Sequence, residues 1–238
     1  MALPYTFQIR SLNEFGAEFQ YAVLRTELSR VKPEIINTQM RQKPHIGING
    51  GFFAADNGYN NPPTGLNSIS YWYNDSVRYA YNGTSNEQVS RKTFVSYVDS
   101  TNRVRGTHIY AGNLNAVLAN YPTARAVIGG TDYNESSWSG KFAYLIPSYN
   151  IANWRTVLAW DNTYAYMIVT ANRAVNIPTL KRHMETLGYN PVNSIILDGS
   201  GSTTMRVAVN DKVEYYGSPT SNRYIANMVR VHGIDWFG

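Results

Sequence analysis

The segment Asp198-Gly199-Ser200-Gly201-Ser202-Thr203-Thr204 combines residue types that can bind and act on an oxyanion. A carboxylate stands at the end of a short apolar run and is followed by two glycines and four hydroxyl side chains. Glycines let the backbone approach a ligand closely, so that its amides and the neighbouring hydroxyls can donate to negative charge. The same residues also suit a polar turn in which Asp198 caps its own backbone, and both interpretations stay open here.

This segment differs from two better-known catalytic signatures. It has no lysine after its last glycine, and it follows the recognisable helix instead of opening one, which disfavours a nucleotide-binding P-loop. Gly199-Ser200-Gly201-Ser202 resembles a nucleophile elbow only superficially, because the chain has no Gly-x-Ser-x-Gly elbow followed by a suitable acid and histidine. A serine hydrolase is therefore a secondary interpretation.

The sequence contains no recognisable metal-binding pattern. Cysteine is absent, which excludes disulfides, thiolate catalysis and cysteine-bound zinc. No two histidines have the helical i, i+4 spacing, and the four lie far apart: His45, His108, His183 and His232. We interpret these histidines as structural and expect neither a metal nor a cofactor.

A helix and a buried strand must position Asp198. Pro178–Leu187 is the clearest predicted helix, because its apolar residues share one face, Pro178 suits the first turn and Gly188 suits the C-terminal cap. Ser194–Leu197 is a short apolar run of the kind found in buried strands. The order of these elements predicts that Asp198 lies at a strand end.

A second glycine-rich turn occurs much earlier in the chain. His45–Asn49 predicts a short strand that runs into Asn49-Gly50-Gly51, where the glycines indicate a tight turn. Phe52 and Phe53 would anchor this turn. Ala54–Ser68 is rich in Asn, Pro and Gly, which predicts a surface loop that could border a site.

Other segments predict further strands. Phe19–Leu28 alternates in the manner of a half-buried strand, and Ile69–Tyr110 predicts an antiparallel meander with hairpin connections at Asn82-Gly83 and Ser100-Thr101-Asn102. The remaining predicted strands lie in Thr123–Gly130 and Arg155–Thr170, the latter divided by Asp161-Asn162 into a hairpin.

Composition favours one sheet-based domain. The 238 residues are 43% hydrophobic and only 16% charged, with 18 Gly, 10 Pro and 19 Tyr, and no linker or internal repeat divides them. We predict a single α+β domain over residues 1–238, with a mixed, largely antiparallel sheet and few helices.

Charge and hydropathy limit the partners. The net charge is +5, but Lys and Arg are scattered, which suits anionic ligands generally and does not indicate nucleic acid. The first 20 residues lack the pattern of a signal peptide, and no apolar run approaches the ~18 residues of a membrane span. We expect a soluble chain without membrane insertion, either released to act on a cell surface or associated with a virion; its oligomeric state is not predicted.

Five segments, in the same order along the chain, resemble the phosphodiester glycosidase family. Ile48-Asn49-Gly50-Gly51-Phe52-Phe53 resembles its Asn-Gly-Gly-Phe-Phe segment, and Leu197–Thr204 resembles its Leu-Asp-Gly-Gly-Gly-Ser-Thr-Thr segment. The other three are Ile128-Gly129-Gly130, Arg155–Leu158, and Asn222–Asn227 with Asn222 in place of an acid. The resemblance extends from about residue 19 to the C-terminus. Ser200 replaces the middle glycine of a triple, at a position where the backbone could need positive φ.

The resemblance implies hydrolysis of the bond between an anomeric carbon and a phosphodiester oxygen, as in GlcNAc-1-phospho-6-mannose. It assigns catalytic roles to three residues: Asp198 would stabilise the anomeric centre or activate water, while Arg155 and Arg223 would hold the phosphate. The implied substrate-binding residues are Asn49, Gly50, Gly51, Gly199, Ser200, Gly201, Ser202, Thr203 and Asn227. For Asn49 and Asn227, locking a turn is the alternative role.

Three other functions stay open. The five tryptophans and many tyrosines could stack on sugars in a non-catalytic carbohydrate-binding module of a phage or bacterial surface protein. A phosphodiesterase would break the P–O bond instead, usually with metals. Nucleic-acid binding is a weaker option that depends only on charge and aromatic content. The preferred setting is phosphate-linked bacterial wall or capsule glycan.

Overall fold

A computed structural model describes residues 3–139, 146–220 and 222–237. The strands in chain order are β1 Tyr5–Glu14, β2 Ala17–Glu27, β3 Val31–Thr38, β4 His45–Asn49, β5 Phe53–Ala54, β6 Gly65–Leu66, β7 Ser70–Trp72, β8 Arg91–Val98, β9 Val104–Ala111, β10 Ala124–Gly129, β11 Thr156–Trp160, β12 Tyr164–Thr170, β13 Ser194–Ile196, β14 Thr204–Val209, β15 Lys212–Gly217 and β16 Ile225–Asp235. The α-helices are α1 Leu114–Asn120, α2 Ile146–Asn150 and α3 Ile177–Thr186. This content confirms the predicted α+β class. Within the described ranges, no helix combines the length and apolarity needed to cross a membrane.

Two five-stranded antiparallel sheets form the main core. Their strand orders are β1-β2-β12-β11-β13 and β15-β14-β4-β16-β3. Inward-facing residues such as Leu24, Leu158 and Met167 of the first sheet pack with Ile48 and Val229 of the second in one buried cluster. The alternation of side chains along each strand places one apolar set in this interface, so burial of the cluster supplies the main stabilisation of the two sheets.

Helix α3, which the sequence predicted over Pro178–Leu187, covers the outer face of the first sheet. Leu180 and Met184 pack against Val157 and Ile168 in a second buried cluster. The Asn176 side chain caps the helix by accepting a hydrogen bond from the Thr179 amide at 2.9 Å. The chain leaves α3 and enters β13, which confirms the predicted strand before Asp198.

The third sheet has the order β7-β10-β8-β9 and packs against α1. The β8–β9 hairpin confirms the predicted connection at Ser100-Thr101-Asn102. The prediction of a hairpin at Asn82-Gly83 is wrong, because β7 pairs with β10 and not with β8. Asn82 is instead fully buried, and its amide donates to Thr93 Oγ1 at 2.9 Å and to the Ala111 carbonyl at 2.7 Å.

The strand order brings the distant sequence segments to one edge of the molecule. Strand β4 pairs with β14 and β16, so the turn after Asn49 lies beside the segments that precede both strands. The Asp198 amide donates to the Gly50 carbonyl at 3.1 Å, and the Gly50 amide donates to the Asn227 carbonyl at 2.9 Å. Backbone hydrogen bonds therefore fix the two glycine-rich turns against each other.

Candidate active site

The Asn-Gly-Gly turn is packed too tightly for side chains. A Cβ on Gly50 would lie 2.4 Å from Asn227 Oδ1, and one on Gly51 would lie 2.5 Å from Ser68 Cβ. Both glycines were predicted to bind substrate. In the structure they allow close approach between backbone segments, and neither lines the cavity described below.

Asn49 is completely engaged with the protein. Its Nδ2 donates to the Asp198 carbonyl at 2.8 Å, and its Oδ1 accepts from Thr156 Oγ1 at 2.7 Å and from the Thr204 amide at 3.1 Å. A buried amide with its polar groups satisfied in this way rigidifies its surroundings. The contacts of Asn49 are those of a residue that locks the turn carrying Asp198.

The segment after Asp198 forms a tight 3-10 turn over Ser200–Ser202. Ser200 has φ of 57°, which confirms the expectation that this position needs positive φ despite the added side chain. The turn is tied to a neighbouring segment, because the Ser200 amide donates to the Trp154 carbonyl at 2.9 Å. Gly199 passes the same carbonyl so closely that a Cβ would approach it to 2.8 Å.

A cavity of about 290 Å³, which we call the Asp198 cavity, opens beside this turn. The lining residues are Phe52, Phe53, Tyr59, Trp138, Ser148, Asn153, Arg155, Leu197, Asp198, Gly199, Ser200, Ser202 and Arg223. All three predicted catalytic residues are thus brought together, with three of the predicted substrate-binding residues. The predicted binding residues that do not line it are Asn49, Gly50, Gly51, Gly201, Thr203 and Asn227.

Asp198 is partly buried at the end of β13 and faces the cavity. Burial raises the pKa of its carboxyl from 3.8 to about 6, although the Ser202 hydroxyl, the Gly199 amide and the positive charge of Arg223 act in the opposite direction. A carboxyl with this pKa changes protonation state just below neutral pH. It can therefore act as a proton acceptor or as a negative charge beside a cationic centre.

Arg223 presents a free guanidinium to the same space. Its Cζ lies 3.8 Å from the centroid of the Tyr59 ring, and the guanidinium also lies against Gly201, where a Cβ would be 2.2 Å from Nε. It forms no ion pair or hydrogen bond with a residue in the described ranges. The absence of a side chain at Gly201 thus leaves room for the Arg223 side chain, and the N–H donors of the guanidinium stay available for a ligand.

Arg155 has a different environment, because it is almost completely buried and bound to carbonyls. Its Nε donates to Val175 at 2.9 Å, and its Nη2 donates to Ile151 at 2.8 Å and also to Ser148. Burial lowers the pKa of Arg155 to about 10, so the side chain is still cationic at neutral pH. Its Nη1 donates to no described residue, which leaves one nitrogen for the cavity.

Two further predicted residues are buried behind the cavity. Thr203 is inaccessible to solvent, and its Oγ1 lies 3.4 Å from Thr156 Oγ1 in the network around Asn49. Asn227 is also buried, and neither of its side-chain polar atoms has a hydrogen-bond partner among the described residues. It packs on Gly50 and thus supports the first turn from behind.

The sequence offered its tryptophans and tyrosines as general sugar-stacking candidates, but it did not predict which of them line the cavity. Tyr59 comes from the Ala54–Ser68 loop, which was expected to border a site only on its composition. The ring centroid of Trp138 lies 5.9 Å from Arg155 Cζ, and Trp138 Nε1 donates to the Asp132 carbonyl at 2.9 Å. Neither aromatic residue belongs to a spacing pattern that would have identified it, since Tyr59 lies in a loop and Trp138 ends a short 3-10 helix between strands.

Other features of the surface do not share this chemistry. A larger depression of about 520 Å³ lies between β1, β12 and the end of α3, and contains neither Asp198 nor Arg223. In the part of the chain that the structure describes, no group of three or more His, Asp and Glu side chains is placed to hold a metal ion.

Comparisons with known proteins show the family and the fold of this chain. A family model described as phosphodiester glycosidase matches residues 42–232. The fold is similar to the pro-peptide-inhibited catalytic domain of zebrafish N-acetylglucosamine-1-phosphodiester alpha-N-acetylglucosaminidase, with a TM-score of 0.64 and 14% identity over 97% of this chain and 83% of that chain. A Synechocystis protein gives a TM-score of 0.57 and 16% identity over 96% of this chain and only 62% of that chain. A Burkholderia pseudomallei K96243 protein gives a TM-score of 0.60 and 12% identity over 90% of this chain and 74% of that chain. No curated protein sequence matches.

Proposed function

The chain belongs to the phosphodiester glycosidase family, and on this premise we propose that it hydrolyses the bond between the anomeric carbon of a sugar and a phosphodiester oxygen. The observation that carries the proposal is the content of the Asp198 cavity. A carboxyl with a pKa near 6 shares the cavity with two arginines that lack a carboxylate partner in the described ranges. One negative and two positive groups match the charges of the proposed transition state.

The chemistry of the leaving group explains why one carboxylate could be enough. Cleavage at the anomeric carbon releases a phosphate monoester, which departs without the strong acid assistance that an ordinary glycoside needs. Positive charge develops on the sugar ring as the C–O bond breaks. Asp198 in its ionised form stabilises that charge or accepts a proton from the attacking water.

Arg223 and Arg155 stabilise the phosphate in different ways. Arg223 has all of its donors available and binds the phosphate oxygens directly, with the fork geometry that suits this group. Arg155 contributes its free Nη1 and its positive charge from a fixed position, because three backbone carbonyls hold the rest of its guanidinium. Ser200 and Gly199 line the same cavity beside Asp198, and their backbone contacts the sugar, while Ser202 supports Asp198.

The proposed substrate is a GlcNAc-1-phosphodiester or a similar unit of phosphate-linked bacterial wall or capsule glycan. The name of the zebrafish enzyme specifies an N-acetylglucosamine-1-phosphodiester, which supports this choice of sugar class. Four aromatic side chains in the lining provide apolar surface for a sugar ring: Phe52, Phe53, Tyr59 and Trp138. The enzyme would act at the cell surface, either after release or as part of a virion.

Hydrolysis in ¹⁸O-labelled water tests the proposal. The protein is incubated with a GlcNAc-1-phosphodiester and with teichoic-acid-bearing wall, and the products are followed by ³¹P and anomeric ¹³C NMR. Label on the released sugar supports glycosidic cleavage, and Asp198→Asn should then lose turnover while it keeps its fold. Label on phosphate would show a phosphodiesterase. Binding without release in wild type would favour the carbohydrate-binding module.

A further inference from the structure

Arg223, the arginine of the Asp198 cavity without a hydrogen bond to a described residue, contacts an aromatic ring from a different part of the chain. The Arg223 guanidinium lies 3.8 Å from the Tyr59 ring centroid, a short distance for a cation–π contact. Both residues line the cavity, and Tyr59 is 48% exposed. The contact therefore occurs at the entrance to the site, where a ligand would pass.

The loop that carries Tyr59 is fixed at this position by two additional contacts. The Tyr224 amide donates to the Tyr59 carbonyl at 3.0 Å, which ties the loop to the residue after Arg223. The Tyr59 ring also packs edge-on against Phe53, with 6.5 Å between ring centroids. Because Phe53 belongs to the first glycine-rich segment, the ring is connected to both halves of the site.

We infer that Tyr59 is a positioning residue, whose ring holds the Arg223 guanidinium over Gly201 and thereby orients its N–H groups toward an anionic phosphate oxygen. Stacking uses the face of the guanidinium and leaves its edge, where all five hydrogens lie, unoccupied. Arg223 forms no hydrogen bond with a described residue that could orient it instead. The identity of the ligand rests on the proposed function, whereas the positioning of Arg223 does not.

Steady-state kinetics on a GlcNAc-1-phosphodiester test this role. Tyr59→Ala should lower kcat/KM by about 3- to 30-fold, in proportion to the usual strength of a cation–π contact, and Tyr59→Phe should restore it. In an Arg223→Ala background, Tyr59→Ala should cause no further loss. The matched control is Tyr73→Ala, because Tyr73 stacks with Arg125 at 5.1 Å outside the cavity.

The pH profile separates positioning from simple structural support. The charge of Arg223 lowers the pKa of Asp198, so displacement of the guanidinium should move the acidic limb of the kcat/KM profile to higher pH in Tyr59→Ala. Tyr59→Phe should keep the wild-type limb. If Tyr59→Ala has wild-type kcat/KM and an unchanged limb, or if Tyr59→Phe is equally impaired, the inference is overturned.

An NMR measurement keeps the inference testable without turnover. In ¹⁵N-arginine-labelled protein, the Nε–H signal of Arg223, assigned by its loss in Arg223→Lys, should shift when the ring is removed in Tyr59→Ala. Titration with inorganic phosphate should perturb this signal more weakly in that variant than in wild type. If the Arg223 signal shifts in Tyr59→Ala but the wild-type protein hydrolyses no sugar-1-phosphodiester, Tyr59 positions Arg223 and the proposed function fails. If the signal is unchanged and the wild-type protein is active, only the positioning role of Tyr59 is overturned.

Discussion

Replacement of Asp198 by asparagine should stabilise the fold above neutral pH. The folded protein raises the pKa of this carboxyl from 3.8 to about 6, so the native state binds its proton more tightly than the unfolded chain does. Stability is consequently lost as the pH rises from about 4 to about 6, and stays lost at higher pH. A pKa difference of about two corresponds to about 3 kcal/mol. The uncharged, nearly isosteric Asn avoids that cost.

Urea unfolding of both proteins at several pH values measures this effect. Wild type and Asp198→Asn should have similar free energies of unfolding at pH 3.5, and the variant should exceed wild type by about 3 kcal/mol at pH 8. Asp211→Asn is the control, because Asp211 is exposed in a turn at φ 62°, a conformation that Asn accepts. A pH-independent difference, or a variant less stable than wild type at pH 8, would refute the reasoning.

Four other predictions concern the same cavity. The kcat/KM of wild type should rise with pH through about 6, the pKa of Asp198, because the ionised form is active; a stopped assay across pH 4.5–8 checks this. Gly201→Ala should lower kcat/KM at least about tenfold with little change in stability, since its Cβ would displace Arg223. Ser200→Gly should raise the free energy of unfolding by about 0.5–1 kcal/mol through relief of left-handed strain, measured in urea. Arg155→Lys should lower it by about 2 kcal/mol, because Lys cannot reproduce the fork of carbonyl contacts; circular dichroism melts would show it.

Features set by local chemistry could be predicted from the sequence. The strand before the Asn49 turn, helix α3 and the strand before Asp198 all form where periodicity and caps indicated them. The positive φ at Ser200 followed from comparison with a glycine triple. The family match itself was also evident in these segments. The assignment of residues 1–238 to a single domain stays a prediction.

Features that depend on distant segments could not be predicted in the same way. Asn82-Gly83 has the composition of a hairpin turn, but the Asn82 side chain is buried in the core, where its amide donates to the Ala111 carbonyl and the Thr93 hydroxyl. The sequence also did not predict that Arg155 and Arg223 have different environments. Only the tertiary structure surrounds Arg155 with backbone carbonyls and places the Tyr59 ring against Arg223. The nine predicted binding residues therefore divide into cavity lining and support behind it.

The hydrogen bonds that hold the site together also bear on folding kinetics. Asn49 bonds residues 149 and 155 positions further along the chain, and the Tyr5 hydroxyl bonds the Ala208 carbonyl 203 positions away. Such contacts are gained only after a large loss of loop entropy, which places this topology among slow-folding β proteins, on the millisecond-to-second scale or slower. During synthesis, the turn at Asn49 must wait for segments near the C-terminus before its amide is satisfied. The Asp198 cavity is therefore among the last features that a nascent or refolding chain forms, well after hydrophobic collapse.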